Sequence, residues 1–187
     1  QEQEEVLWPD GCAALYRKSM LDEIGGFDED LFAYGDDAEL GLRARIAGWR
    51  CLYVPEAVVR HHHSSTLGLL SVRRLELIER NRILLAVKHF PLRLLWVNGL
   101  WFGLRLGAGA WAAVRGRGEA ARFVGSEGKL KIAVALLRGI FAAFRMVPAT
   151  LHKRRCLRHL RRLSSKQIQD LIFANKISLK TLSETAL

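Results

Sequence analysis

The sequence of 187 residues has only three cysteines, Cys12, Cys51 and Cys156. An odd number without metal-ligand spacing excludes a disulfide framework and a cysteine-built metal centre, and fits a reducing compartment. No initiator methionine and no signal-peptide pattern stand at the start, so Gln1–Asp10 reads as the interior of a longer protein. The most informative scarcity is of acids in the second half. Residues 90–187 hold 4 Asp/Glu against 18 Lys/Arg, whereas residues 1–89 hold 15 against 11. The formal net charge of +10 therefore divides into about −4 and about +14. A mildly acidic first half suits a compact domain whose site uses carboxylates; the second half calls for an anionic partner.

Along the first half, Gly11–Arg17 reads as a short strand and Ser19–Ile24 as a helical turn closed by Gly25-Gly26. Asp36–Ala47 has the spacing of an amphipathic helix ending at Gly48. Trp49–Val54 and Ala57–His61 read as strands divided by Pro55, and Leu67–His89 as a charged helix interrupted by Phe90-Pro91. These elements predict an α/β fold over residues 1–89, followed by membrane-associated helices over 90–163 and a helix with a frayed tail over 164–187.

Leu92–Val114 is long enough to cross a bilayer, but an arginine near its centre, Arg105, costs about 2.5–3.5 kcal/mol on insertion scales. An interfacial or re-entrant segment, with Trp96, Trp101 and Trp111 at headgroup level, suits it better. In Leu130–Leu151 the cations Lys131, Arg138, Arg145 and His152 recur every seven residues in apolar sequence, and so share one helix face. An interfacial helix has this pattern, and a core helix of a larger bundle is the alternative. Six cations follow, Lys153, Arg154, Arg155, Arg158, Arg161 and Arg162, suggesting an anionic membrane surface. Nucleic acid fits less well, because the aromatics lie within apolar helices instead of alternating with cations.

Two constellations carry chemistry. Six acids, Asp28, Glu29, Asp30, Asp36, Asp37 and Glu39, fall within twelve positions. Asp36 and Glu39 have the spacing of a capping box, which needs no enzyme. Asp37 is not needed for the box; in the first turn, where the helix dipole favours an anion, it can take a proton from a hydroxyl nucleophile. The second is His61-His62-His63, where alternation puts His61 and His63 on one strand face. One or two imidazoles there could ligate a divalent ion only with carboxylates from elsewhere, and plain surface histidines are the alternative.

A longer pattern links these pieces: Pro9-Asp10-Gly11, Ala14-Leu15-Tyr16-Arg17-Lys18, Glu23-Ile24-Gly25-Gly26-Phe27-Asp28-Glu29, Phe32-Ala33-Tyr34, Asp36-Asp37-Ala38-Glu39-Leu40, Ala47-Gly48-Trp49, Val54-Pro55-Glu56-Ala57 and His61. It resembles bacterial family 2 glycosyltransferases, in particular rhamnosyltransferase-like members that build cell-surface polysaccharide, over roughly residues 8–90. The resemblance implies the C-terminal, acceptor half of a GT-A fold. It implies inverting transfer from a nucleotide-diphosphate sugar to a hydroxyl of a lipid-linked or cell-surface glycan, at the cytoplasmic face of the plasma (inner) membrane. Asp37 is the implied general base, Gly11, Asp36 and Glu39 are implied substrate contacts, and His61 an implied metal-side ligand. Asp36 stands where the family usually has Glu, and Glu39 where an Asp is common. The implied Mg²⁺ or Mn²⁺ is held mainly by an Asp-X-Asp motif for which this chain has no counterpart before Trp8. Asp28-Glu29-Asp30 matches its spacing but sits in the Phe-Asp-Glu loop. The segment is therefore expected to be inactive alone. A non-enzymatic basic membrane-binding module is the alternative reading.

Overall fold

In the computed structural model, residues 4–62, 67–68, 71–114 and 128–175 are described, with only the backbone for 105, 106 and 108–114. His63, the tail from 176 and the side chains of Arg105 and Trp111 lie outside that set.

The central helix, Asp36–Ile46, is the pivot of the first half. Two apolar clusters pack on it from different sides. Leu40, Ala44 and Ala47 meet Met20 and Ile24 of the helix Lys18–Ile24. Leu42 and Ile46 meet Leu7 and Ile168, the latter from the C-terminal helix Ser165–Ala174. The helix is thus buried from Ala38 to Ala44, instead of presenting the one apolar stripe its spacing suggests. Glycine permits one of these approaches, since a Cβ on Gly41 would lie 2.4 Å from Trp8 Cβ.

Most of the expected strands are not formed. Among the described residues the fold is mostly helical, and the one sheet pairs β1 (Glu4–Glu5) antiparallel with β2 (Leu52–Tyr53). Gly11–Ala13 is a 3₁₀ turn, with the Asp10 carboxylate accepting from Cys12 N–H, and Ala57–His61 is irregular and exposed. An apolar run becomes a strand only beside another strand, and here the described neighbours of both runs are loops and helices. The α/β expectation is met only by this small ladder.

Numbering the helices in chain order, α1 is Lys18–Ile24, α2 Asp36–Ile46, α3 Val72–His89, α4 Leu92–Val114, α5 Lys129–Cys156 and α6 Ser165–Ala174. Ser71 caps α3, and Pro91 fixes the break before α4. α5 lies along α3 with a face of small residues, Ala135, Gly139, Ala143 and Thr150, all buried. A Cβ on Gly139 would come within 2.6 Å of the Glu76 carbonyl oxygen, so the helices approach to backbone contact. The opposite side of α5 exposes Leu130, Leu137, Phe141, Phe144 and Leu151. With the following 3₁₀ turn, it forms the one helix among the described residues, Lys129–Leu160, that is long and apolar enough to cross a membrane. Only 17% of its most apolar stretch is buried, which argues against a core helix in this chain.

Candidate active site

Asp37 sits in the first turn of α2 with both carboxylate oxygens engaged. Gly11 N–H donates to Oδ2 at 2.9 Å and Ala38 N–H to Oδ1 at 2.7 Å. The approach is close: a Cβ on Gly11 would lie 3.2 Å from Asp37 Cβ, so a larger residue would have to shift the Asp37 side chain. Gly11, expected as a substrate contact, thus lies in direct contact with Asp37, 26 residues away in the chain. Each carboxylate oxygen keeps a lone pair beyond the one so used, so Asp37 can still accept a proton.

Asp36 is the first residue of the helix, not its cap. The cap is Gly35, in the left-handed region at φ 84° and without a side-chain bond. No Asp36–Glu39 capping box forms. Burial, joined by the charge of Asp37, raises the Asp36 pKa, so of the two adjacent acids Asp36 holds a proton more readily than a free aspartate would. Tyr16 lies in the same electrostatic neighbourhood: burial first, then Asp37, push its pKa up, and its buried hydroxyl has no hydrogen-bond partner. No sequence motif marked that hydroxyl.

Glu39, expected on the acceptor side, is fully buried and presents nothing to a ligand. Its Oε1 meets Lys88 Nζ at 2.6 Å and His89 Nε2 at 2.7 Å, and its Oε2 accepts from Arg43 at 2.8 Å. Burial alone would raise its pKa. The His89 bond and the Arg43 and Lys88 charges outweigh burial and hold it well below the usual carboxylate range. Burial also pushes His89 down, so a neutral ring donates its Nε2–H to an ionised Glu39. Arg43 continues the network to the carbonyls of Ile24 and Gly26.

The loop leading into α2 is braced from α3. Phe32 and Tyr34 both adopt positive φ, 62° and 66°, a conformation that side chains oppose. Asn81 Nδ2, buried, donates to the carbonyls of Leu31, Ala33 and Tyr34 at 2.9, 2.8 and 2.7 Å, while Arg80 donates to those of Asp30 and Leu31. The Arg80-Asn81 pair thus positions the turn that delivers Asp36 and Asp37. The turn leaves Phe32 74% exposed.

No described group of three or more His, Cys, Asp or Glu side chains converges for a metal. Asp28 and Asp30 are occupied by lysines: Lys88 holds Asp28 at 2.7 Å, and Lys153 reaches both acids. His61 lies on an exposed loop. These residues do not by themselves fit a divalent ion.

Residues 1–76 match the family described as glycosyltransferase like family 2, so the match lies in the N-terminal part of this chain. Two curated relatives, both named N-acetylglucosaminyl-diphospho-decaprenol L-rhamnosyltransferase, come from Mycobacterium tuberculosis strains CDC 1551 / Oshkosh and ATCC 25618 / H37Rv. Each is 44% identical over 63 residues, covering 34% of this chain and 20% of the relative. A probable glucomannan 4-beta-mannosyltransferase 6 from Oryza sativa subsp. japonica is 37% identical over 57 residues, 30% of this chain and 10% of its own. The chain thus spans about a fifth or less of the length of these relatives. No solved structure matches significantly.

Proposed function

Because residues 1–76 carry the pattern of family 2 glycosyltransferases, we propose that this chain supplies the catalytic-base and acceptor side of an inverting glycosyl transfer. The donor is a nucleotide-diphosphate sugar carrying a hexosyl or deoxyhexosyl group, and the acceptor is a hydroxyl of a lipid-linked or cell-surface glycan. The observation that carries this reading is Asp37, fixed at the start of α2 by the N–H groups of Gly11 and Ala38 within the matched segment.

Asp37 accepts the proton of the acceptor hydroxyl as its oxygen attacks the anomeric carbon. The bond from that carbon to the diphosphate breaks, the nucleoside diphosphate leaves with the electron pair, and the configuration inverts. Gly11 keeps the carboxylate in one orientation, and Asp36, next to it in the chain, serves as an acceptor contact. Glu39 acts at one remove, by anchoring α2 to α3. Mg²⁺ or Mn²⁺, where the reaction uses one, offsets the leaving group's charge and is held by groups other than these. His61 belongs on that side only if further ligands join it.

The reaction is assigned to the cytoplasmic face of the plasma membrane. Support comes from the decaprenol-linked acceptor in the names of two relatives and from the exposed apolar face of α5. In the full-length active protein, Asp37→Asn should lower the transfer rate by about 10²–10⁴-fold while leaving nucleotide-sugar affinity unchanged. Near-normal turnover would remove Asp37 from the role of base.

A further inference from the structure

The polybasic run after α5 is not a uniformly solvated tail. Lys153 is committed to Asp28 and Asp30, Arg154 donates to the Val87 carbonyl at 2.6 Å, Arg161 to the Leu163 carbonyl and Ser165 Oγ, and Arg162 to Glu23. These bonds fold the run back over the α3 end and leave Arg155 and Arg158 without a partner among the described residues. Both line a pocket of about 330 Å³, together with Arg154, Arg161 and the apolar Ile46, Leu151 and Leu157.

No carboxylate lines this pocket. Lys88 reaches its wall, but that charge is already balanced by Asp28 and Glu39. The pocket thus gathers four guanidiniums with no carboxylate among its described lining residues, beside apolar side chains that weaken screening. Burial first, then the charge of Arg161, lowers the pKa of Arg154; burial first, then the charge of Arg158, lowers that of Arg161. Arg154 and Arg161 also line a second space of about 680 Å³ with Arg93, Lys166 and one carboxylate, Asp170. Guanidinium forks match the oxygens of a phosphate in a way that single ammonium groups do not. A pocket lined by four guanidiniums suits a ligand bearing one phosphate or two in succession.

We propose that the Arg154–Arg155–Arg158–Arg161 pocket is a binding site for a phosphate monoester or diphosphate group. The site is separate from the Asp37 region and does not depend on the transferase reading. The shared chemistry allows two sources, a soluble phosphate compound or the headgroup of a membrane lipid beside the exposed face of α5.

The test is equilibrium binding of the 187-residue chain to inorganic diphosphate, and to vesicles of phosphatidylcholine with and without phosphatidic acid. Arg155→Ala/Arg158→Ala is the pocket variant, chosen because neither side chain is bonded within the fold, and circular dichroism verifies that it folds. Arg138→Ala/Arg145→Ala removes the same charge from α5 outside the pocket. Saturable diphosphate binding, weakened at least about tenfold by the pocket variant and about twofold or less by the control, supports the site. Binding seen only with phosphatidic acid, and with the same selectivity between variants, supports it with the lipid headgroup as source. Absence of saturable binding to both probes, or equal losses in the two variants, overturns it.

Discussion

Around α2, charged side chains point inward and are matched one against another, while along α5 the large apolar side chains point outward and small residues do the packing. Glu39, Arg43, Lys88 and His89 are nearly or fully buried, whereas Leu137, Phe141 and Phe144 of α5 are about two-thirds exposed at 66%, 63% and 65%. The two regions share α3, whose last turn enters the ion network and whose middle lies under Gly139. One helix thus joins a region built for water to a surface suited to a less polar medium. Ion networks with fixed geometry orient a turn, and an apolar ridge on a helix held by small residues can meet lipid without disturbing the packing behind it.

The largest effect should come from the water-built region. Glu39→Ala leaves Arg43 without its buried counterion and Lys88 with Asp28 alone, and should destabilise the chain by about 3–5 kcal/mol, measured by denaturant unfolding at pH 7. The same network sets a direction for pH. His89 and Glu39 both bind protons less readily in the fold than at their ordinary values of 6.5 and 4.5. The unfolded chain then takes up more protons in each window, so stability present above pH 6.5 is lost as pH falls, first through His89 and then below 4.5 through Glu39. Glu39→Ala should flatten the lower part of that curve. A pH profile identical to that of the parent would mean that the network does not hold α2.

How far the site could be read beforehand depends on where its partners lie in the sequence. The Glu39–Arg43 pair is visible as i,i+4 spacing, and the first-turn position of Asp37 follows from the helix start. The family pattern names Gly11 as a substrate contact, and its hydrogen bond to Asp37 appears only in the fold. By contrast, Lys88, His89 and Asn81 lie about 50 residues from the groups they bond, and no local periodicity records such a distance. The expected strands failed for a related reason, since strand formation is decided by a neighbour and not by the run itself. α4, whose stretch is read from composition alone, has the predicted bounds Leu92–Val114.

The α3–α5 seam offers a smaller effect that separates packing from surface. Alanine is the better helix former by about 1 kcal/mol, so Gly139→Ala would stabilise an unpacked helix. Here its Cβ meets the Glu76 carbonyl oxygen and Glu79 Cβ, at 2.6 and 3.2 Å. Backbone atoms cannot rotate aside, and the helices must part, for a net loss of about 1–3 kcal/mol. A gain in melting temperature would show that α5 is not seated on α3.

The smallest effect on stability should come from the outward face of α5, and it is the sharpest test of the contrast. Phe144→Ser removes an exposed ring that packs against nothing in the core, so unfolding in aqueous buffer should shift by no more than about 0.5 kcal/mol. If that face meets lipid, the ring leaves water on binding, and its loss should weaken partitioning onto vesicles roughly tenfold or more. A buried core position would behave in the opposite way, with a large stability loss and no specific effect on vesicles. Equal partitioning of Phe144→Ser and the parent would leave the apolar ridge without a membrane role. The difference between the two regions would then lie in packing style alone, small residues inward on α5 and ion pairs inward on α2.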